Sequence, residues 1–255
     1  MATFAEQIAI ALAERDRLKA DYEAAESRYQ ALAAQAVKGG PDVSEFQGDI
    51  DWAKVKTEGW NFVFVRSSDG DYNDKLYTAS RITAIRGAGL LLAPYHFARV
   101  GSAANGERDG RTEAAMAWYF ARRQGWGKTG DLPLVYDFEG ESYRGQTAAK
   151  AAKHLVEAVR TFRRIADFSP ILYTSPDAMN FVGPALDDAG RAELAKCPLW
   201  IAHWGVTTPT VPAPWSSWTF WQYTDSGTAA GITAAKVDLS QFSGSKTDLD
   251  ALRIS

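Results

Sequence analysis

The chain has a single cysteine, Cys197, among 255 residues, so no intrachain disulfide can form and folding does not need an oxidising compartment. That cysteine reads as a small buried apolar side chain. No apolar run approaches the roughly 18 residues that cross a bilayer as a helix, so no membrane insertion is expected. The start, Met1-Ala2-Thr3-Phe4-Ala5-Glu6, lacks the basic opening and apolar stretch of a secretory signal. An excess of one charge is missing too. Twenty-eight basic residues face 31 acidic ones, net −3 with no strong run of either sign, which argues against a nucleic-acid partner or an anionic membrane. The three histidines, His96, His154 and His203, are too dispersed for a metal site, and no cofactor is expected. The run Gly125-Trp126-Gly127-Lys128-Thr129-Gly130 precedes a strand instead of opening a helix after one, so it is no phosphate loop.

Glycine and proline are absent from residues 4–38, which are rich in Ala, Glu, Arg, Lys and Leu and predict one long helix. Phe4, Ile8, Ala11, Arg15, Leu18, Tyr22, Ala25, Tyr29, Leu32 and Ala36 alternate by four and three, the spacing of a heptad seam. Arg15 and three alanines weaken it, leaving two readings open: self-association through residues 4–38, or packing back on the following domain. Gly39-Gly40-Pro41 is read as the end of the helix and a boundary between a helical segment, 1–38, and a second domain, 39–255.

From Pro41 short apolar runs alternate with helical stretches. Strands are predicted near 41–47, 61–67, 90–98, 132–139, 170–175, 199–204, 218–224 and 236–242, with helices near 51–58, 74–88, 106–124 and 146–166. That alternation implies parallel strands, and about eight of them imply an irregular, TIM-like β/α barrel of the α/β class. The proline-rich stretch Thr207-Thr208-Pro209-Thr210-Val211-Pro212-Ala213-Pro214 cannot be helical, so helices should be missing from the last three units.

The residues able to do chemistry gather at predicted strand ends. Leu134-Val135-Tyr136-Asp137-Phe138-Glu139 turns from apolar to acidic, and on a strand Asp137 and Glu139 point the same way, about 6–7 Å apart. Two carboxylates, one protonated and one charged, are the minimum for glycoside hydrolysis, although a solvated acidic loop is the commoner meaning of such a pair. The same switch recurs at Asp42, Arg66 to Asp69, Tyr95 to Arg99, Tyr173, His203-Trp204 and Asp238, the repeat expected of one barrel face forming a site. Five of nine tryptophans, Trp200, Trp204, Trp215, Trp218 and Trp221, cluster beside Tyr223 and suit a platform for sugar rings. His154 is expected on an exposed helix face; His96 and His203 are expected to hydrogen-bond within the barrel mouth.

In order, the motifs Asp42-Val43-Ser44, Gln47-Gly48, Ile50-Asp51-Trp52, Arg66-Ser67-Ser68-Asp69-Gly70, Tyr95-His96-Phe97-Ala98-Arg99, Asp137-Phe138-Glu139, Ile171-Leu172-Tyr173-Thr174-Ser175, Leu199-Trp200-Ile201-Ala202, Trp218-Thr219-Phe220-Trp221-Gln222-Tyr223-Thr224 and Val237-Asp238-Leu239 resemble the glycoside hydrolase family 25 lysozymes, the Chalaropsis type of bacteria and phages. The resemblance covers about 41–250. It implies an irregular α/β barrel and cleavage of the β-1,4 bond between N-acetylmuramic acid and N-acetylglucosamine in bacterial peptidoglycan. By motif, Glu139 would be the general acid and Asp137 its carboxylate partner, with Asp42 and Asp238 completing an acidic ring. Arg66, Asp69, Tyr95, Tyr173 and Trp204 would line the groove. The chain departs from the family at Glu45-Phe46, often His-Trp, and at Arg66-x-x-Asp69, often Lys-x-x-Glu.

Crowded carboxylates raise the pKa of the least solvated, here expected to be Glu139, which would stay protonated while the others remain charged. Because the sugar carries a 2-acetamido group, that group is expected to act as nucleophile, oriented by Asp137. Two other readings are a non-catalytic or weakly catalytic wall-binding protein and a virion structural component. Without a signal peptide, a phage endolysin held in the host cytoplasm until release is expected, or a bacterial enzyme exported by another route.

Overall fold

The computed structural model describes residues 3–101 and 109–254. Helix α1, Phe4–Ala34, comes first; it ends before the glycines that sequence alone made its terminator. Strand β1, Gly40–Val43, then opens the second unit. Gly39 has φ +124°, and a Cβ there would strike the Ser240 carbonyl; one on Gly40 would strike that of Phe62. These glycines therefore serve the entry of β1 between two neighbouring strands, where only a bare backbone fits.

The rest follows as α2 (Trp52–Thr57), β2 (Phe62–Asp69), β3 (Tyr72–Asn73), α3 (Ala79–Gly87), β4 (Leu91–Phe97), α4 (Gly110–Arg123), β5 (Val135–Asp137), α5 (Ala148–Ala166), β6 (Ile171–Thr174), α6 (Pro176–Val182), α7 (Asp188–Leu194), β7 (Leu199–Ala202), β8 (Phe220–Gly227), β9 (Val237–Phe242) and α8 (Lys246–Ala251). Side-chain caps start the longer helices: Thr78, Asp109 and Thr147 each accept from a backbone N–H three residues on. The start of the helix expected from 106 lies outside the described residues.

Eight strands close into a barrel, because β1 pairs with β2 on one side and β9 on the other; β3 is a short hairpin partner at the end of β2. Neighbours run parallel except β9, which is antiparallel to both β1 and β8. This departs from the all-parallel expectation. The link 228–236 is too short for a crossover, so β8 and β9 meet as a hairpin. The first five barrel strands are followed by helices, including the pair α6 and α7 that sequence did not single out. The β7–β8 and β8–β9 connections carry no helix among the described residues, but α8 follows β9, so the expectation of three units without helices is corrected to two.

Alternation along the strands sorts the side chains into two layers. Phe62, Phe64, Ala93, Val135, Ile171, Trp200 and Phe220 fill the barrel interior, with Phe64 stacked on Trp200 at 3.9 Å between ring centres. Val63, Val65, Leu92, Tyr136, Leu172 and Val237 point outward to the helices. Apolar filling stops below the C-terminal ends of the strands, and the next inward positions are polar.

Helix α1 joins none of this. All described side chains from residue 3 to 32 are exposed, so packing back on the barrel is not what the chain does. The connection is anchored at the N-terminal end of the barrel strands. There Lys246 N donates to the Gln35 carbonyl at 2.9 Å and Lys38 N to Asn61 Oδ1 at 2.8 Å.

Candidate active site

The polar layer lines a cleft of about 290 Å³ at the C-terminal ends of the strands. Asp42 comes from β1, Arg66 from β2, Tyr95 from β4, Asp137 from β5, Tyr173 from β6, Gln222 from β8 and Asp238 from β9, each on the inward parity of its strand. Glu139 stands two residues past Asp137, with Phe138 between them turned into the buried helix layer. Its backbone is held by Ser142, whose Oγ accepts from Glu139 N at 3.1 Å and whose N–H donates to the Glu139 carbonyl at 2.9 Å.

One amide ties the far wall together. The Gln222 side-chain oxygen accepts from Tyr173 Oη at 3.0 Å and Trp204 Nε1 at 3.1 Å, and its nitrogen donates to Asp42 Oδ2 at 2.9 Å. Asp42 and Asp238 are Cα partners across the antiparallel β1–β9 ladder. On the near wall, Arg66 Nε donates to buried Asp74 at 2.9 Å, its guanidinium lies 3.6 Å from Glu45, and it stacks 4.9 Å from the Phe46 ring. The pair Glu45-Phe46 thus makes a bracket for Arg66, and Phe46 itself stands 76% exposed on the rim opposite Trp204, 47% exposed.

Four carboxyl groups meet here. Burial, then the charge of Asp238, pushes Asp42 well above the usual aspartate range; a hydrogen bond between the two raises Asp42 and holds Asp238 back. Burial, then Glu139 and Asp42, pushes Asp137 well up, and its Oδ1 is buried without a hydrogen-bond partner. Glu139 is raised less, by burial and then Glu141, because it is only partly buried and Arg99 opposes the shift. The expectation that Glu139 is the least solvated acid is therefore corrected. Asp42 and Asp137 are buried whereas Glu139 and Asp238 are only partly so, and burial accordingly raises the first two further.

Eight of the nine residues singled out from sequence line the cleft: Glu139, Asp137, Asp42, Asp238, Arg66, Tyr95, Tyr173 and Trp204. Asp69 does not. Its carboxylate is bound in a fork by Arg99, at 2.5 Å and 2.8 Å, and it acts on the site through its charge on Asp137 and Arg66. The histidine expectations fail. His154 is buried, with Nε2 2.7 Å from Glu113, and His96 lies outside the barrel with Nε2 3.2 Å from the same carboxylate. His203 accepts from Thr210 N on a loop. Of the tryptophan cluster, Trp204 offers an open face and Trp200 a floor, whereas Trp215 and Trp221 donate to backbone carbonyls as structural pins.

Gln222, Arg99 and Phe46 lie within stretches that the sequence marks, yet sequence alone gives none of them a role in the site. Gln222 sits at the same inward, strand-end parity as the acids, the one signal that would have marked it. A larger hollow of about 400 Å³ at the opposite barrel end holds Arg86 and Arg253, each already paired with an aspartate, and no converging acids.

Residues 41–232 match the family described as glycosyl hydrolases family 25. Lysozyme M1 of Streptomyces globisporus is 32% identical over 220 residues, 84% of this chain and 70% of that one. An N,O-diacetylmuramidase of Chalaropsis is 26% identical over 73% of this chain and 87% of its own length. The crystal structure of a bacterial lysozyme from Streptomyces coelicolor superposes with a TM-score of 0.73 at 29% identity, covering 85% of this chain and 96% of that one.

Proposed function

Because the chain belongs to glycosyl hydrolase family 25, we propose that it works as a muramidase, hydrolysing the β-1,4 bond between N-acetylmuramic acid and N-acetylglucosamine in peptidoglycan. The observation that carries the mechanism is the four-carboxyl cleft with one buried, unpartnered oxygen on Asp137. Such an oxygen costs about 1–3 kcal/mol of desolvation until a donor arrives. The N–H of a 2-acetamido group is that donor.

Donation to Asp137 favours its ionised form, and the charge it then carries favours the protonated form of Glu139. Glu139 is the outer acid, partly open to the cleft, and protonates the leaving oxygen. Asp137, now charged, orients the acetamido group so that its carbonyl oxygen attacks the anomeric carbon, and the positive charge that develops is offset by Asp137 and Asp238. Water then opens the cyclic intermediate, returning its proton to Glu139. Asp42, protonated against Asp238, fixes the far wall through Gln222. Phe46 and Trp204 provide apolar faces on the two rims for sugar rings.

Identification of the new reducing ends in digested peptidoglycan tests the assignment. N-acetylmuramic acid ends are expected; N-acetylglucosamine ends would overturn it. Acetamido attack requires net retention, so NMR of fresh product should show the β-anomer first, and the α-anomer would remove that step. A lytic, endolysin-type role in the release of phage from a host is the finer reading that the muramidase activity would serve; clearing of a bacterial suspension by added enzyme tests it.

A further inference from the structure

Helix α1 is the one long element that catalysis leaves without a task. Thirty-one residues make a helix about 46 Å long. Its outer faces carry polar pairs four residues apart, Arg17 with Asp21, Lys19 with Glu23 and Gln30 with Glu26, together with two exposed apolar residues off the seam, Ile10 and Leu12. Its seam is mainly apolar. Phe4, Ile8, Leu18, Tyr22, Tyr29 and Leu32 lie exposed along one stripe, and a stripe of that spacing is what a second helix covers. The seam's single charge, Arg15, already turns aside to Asp16 at 2.7 Å.

The seam is complementary to itself in one orientation. In a parallel pair in register each seam residue meets its own copy. Arg15 would then face Arg15, while Ala11 and Ala25 would face alanines, Ala25 between layers of paired tyrosines. In an antiparallel pair whose residue numbers sum to 40, every layer changes. Ile8 meets Leu32, Ala11 meets Tyr29, Arg15 meets Ala25, and Leu18 meets Tyr22, so that alanines lie against Tyr29 and the arginine. The flanks do not choose between the two. In the antiparallel pair two Glu14–Arg28 attractions stand against Asp21 and Lys19 meeting their own copies at the dyad, and in the parallel pair two Glu14–Lys19 attractions stand against two Asp21–Glu26 repulsions, so the seam layers and Arg15 decide the orientation.

We propose that α1 is a homodimerisation element that pairs antiparallel with α1 of a second copy, in the register Ile8–Leu32 and Leu18–Tyr22. The dimer carries a barrel at each end of the helix pair. Because α1 joins the barrel at the end away from the cleft, both clefts stay open. On the muramidase reading, the product is a bivalent enzyme that holds one glycan network at two points, and such linkage raises apparent affinity for a polymer without any new contact.

Sedimentation equilibrium of the full chain at tens of micromolar gives the first test, independent of activity. A mass twice the 27.9 kDa of one chain is expected, falling to one chain in Leu18→Glu/Tyr22→Glu; a monomeric wild-type mass overturns the proposal. Orientation is read by oxidising a mixture of Ile8→Cys and Leu32→Cys chains. Native Cys197 does not compete, since burial holds its thiol up at about 12. Cross-links joining position 8 to position 32 are expected. Cross-links of 8 to 8, or none, contradict the antiparallel register.

Discussion

At the level of single residues, the site trades stability for chemistry. Asp42 and Asp137 have carboxyls whose ionisation the fold disfavours, so each destabilises the native state increasingly as pH rises above its ordinary 3.8 and contributes nothing below it. Asp137→Asn removes that charge. We expect peptidoglycan turnover to fall by about 10²-fold or more, while Tm at pH 7 rises, each kcal/mol regained appearing as about 2–4 °C. The gain should vanish near pH 3.5. An unchanged or lower Tm at pH 7 would show that Asp137 is charged and well solvated in the resting enzyme.

Glu113 works with the opposite sign. Burial disfavours its charge, but hydrogen bonds from His154 and His96 win and bring its pKa from the usual 4.5 down to about 2. A depressed carboxylate contributes fully above 4.5 and loses its contribution as pH falls toward 2, a term of roughly 3 kcal/mol. Urea unfolding of wild type and Glu113→Gln at pH 7 and pH 3 should show the variant's deficit shrinking in acid; a constant deficit would contradict the pairing. At this scale the sequence displayed the acids through spacing and position on strands. It could not display depth. Whether Glu139 or Asp137 is better buried depends on where β5 stops, and Glu113 is an unremarkable helix position until two histidines from other elements close on it.

Elements were legible where local pattern and tertiary context agree. Alternating apolar runs located all eight barrel strands, because an inward and an outward face are both buried or both functional in a barrel. Other features escaped, α8 after the last strand among them. The antiparallel sense of β9 is set by the short 228–236 link rather than by its residues, and α6 and α7 are each a seven-residue helix, too brief for a strong period. The glycines at 39 and 40 were read as a helix stop, whereas their requirement is steric, at the insertion of β1. Gly40→Ala should therefore destabilise the barrel by about 1–3 kcal/mol through overpacking against Phe62. A thermal melt will show it, and an unaltered Tm would mean that β1 seats without close approach.

Across the whole molecule, a polar layer rests on an apolar barrel floor, and helix α1 leaves the body from the opposite end. This division explains why the family match begins at residue 41 and why the catalytic cleft is independent of α1. It also separates two kinds of legibility. The ordered motifs reported the cleft because they mark strand ends that must converge once the barrel closes. The partner of α1 is not written in any barrel residue, and only the size and charge pattern of the seam speaks for it.

The central claim is that Glu139 delivers the proton to the leaving sugar after Asp137 is ionised by the substrate's own amide. The most direct measurement compares wild type, Glu139→Gln and Glu141→Gln on purified peptidoglycan, counting new N-acetylmuramic acid reducing ends. Glu139→Gln should lose about 10²–10⁴-fold, the usual worth of a general acid. Glu141→Gln, which removes a neighbouring charge that raises Glu139, should stay within about threefold with its alkaline limb moved to lower pH. Near-wild-type turnover by Glu139→Gln would contradict the account.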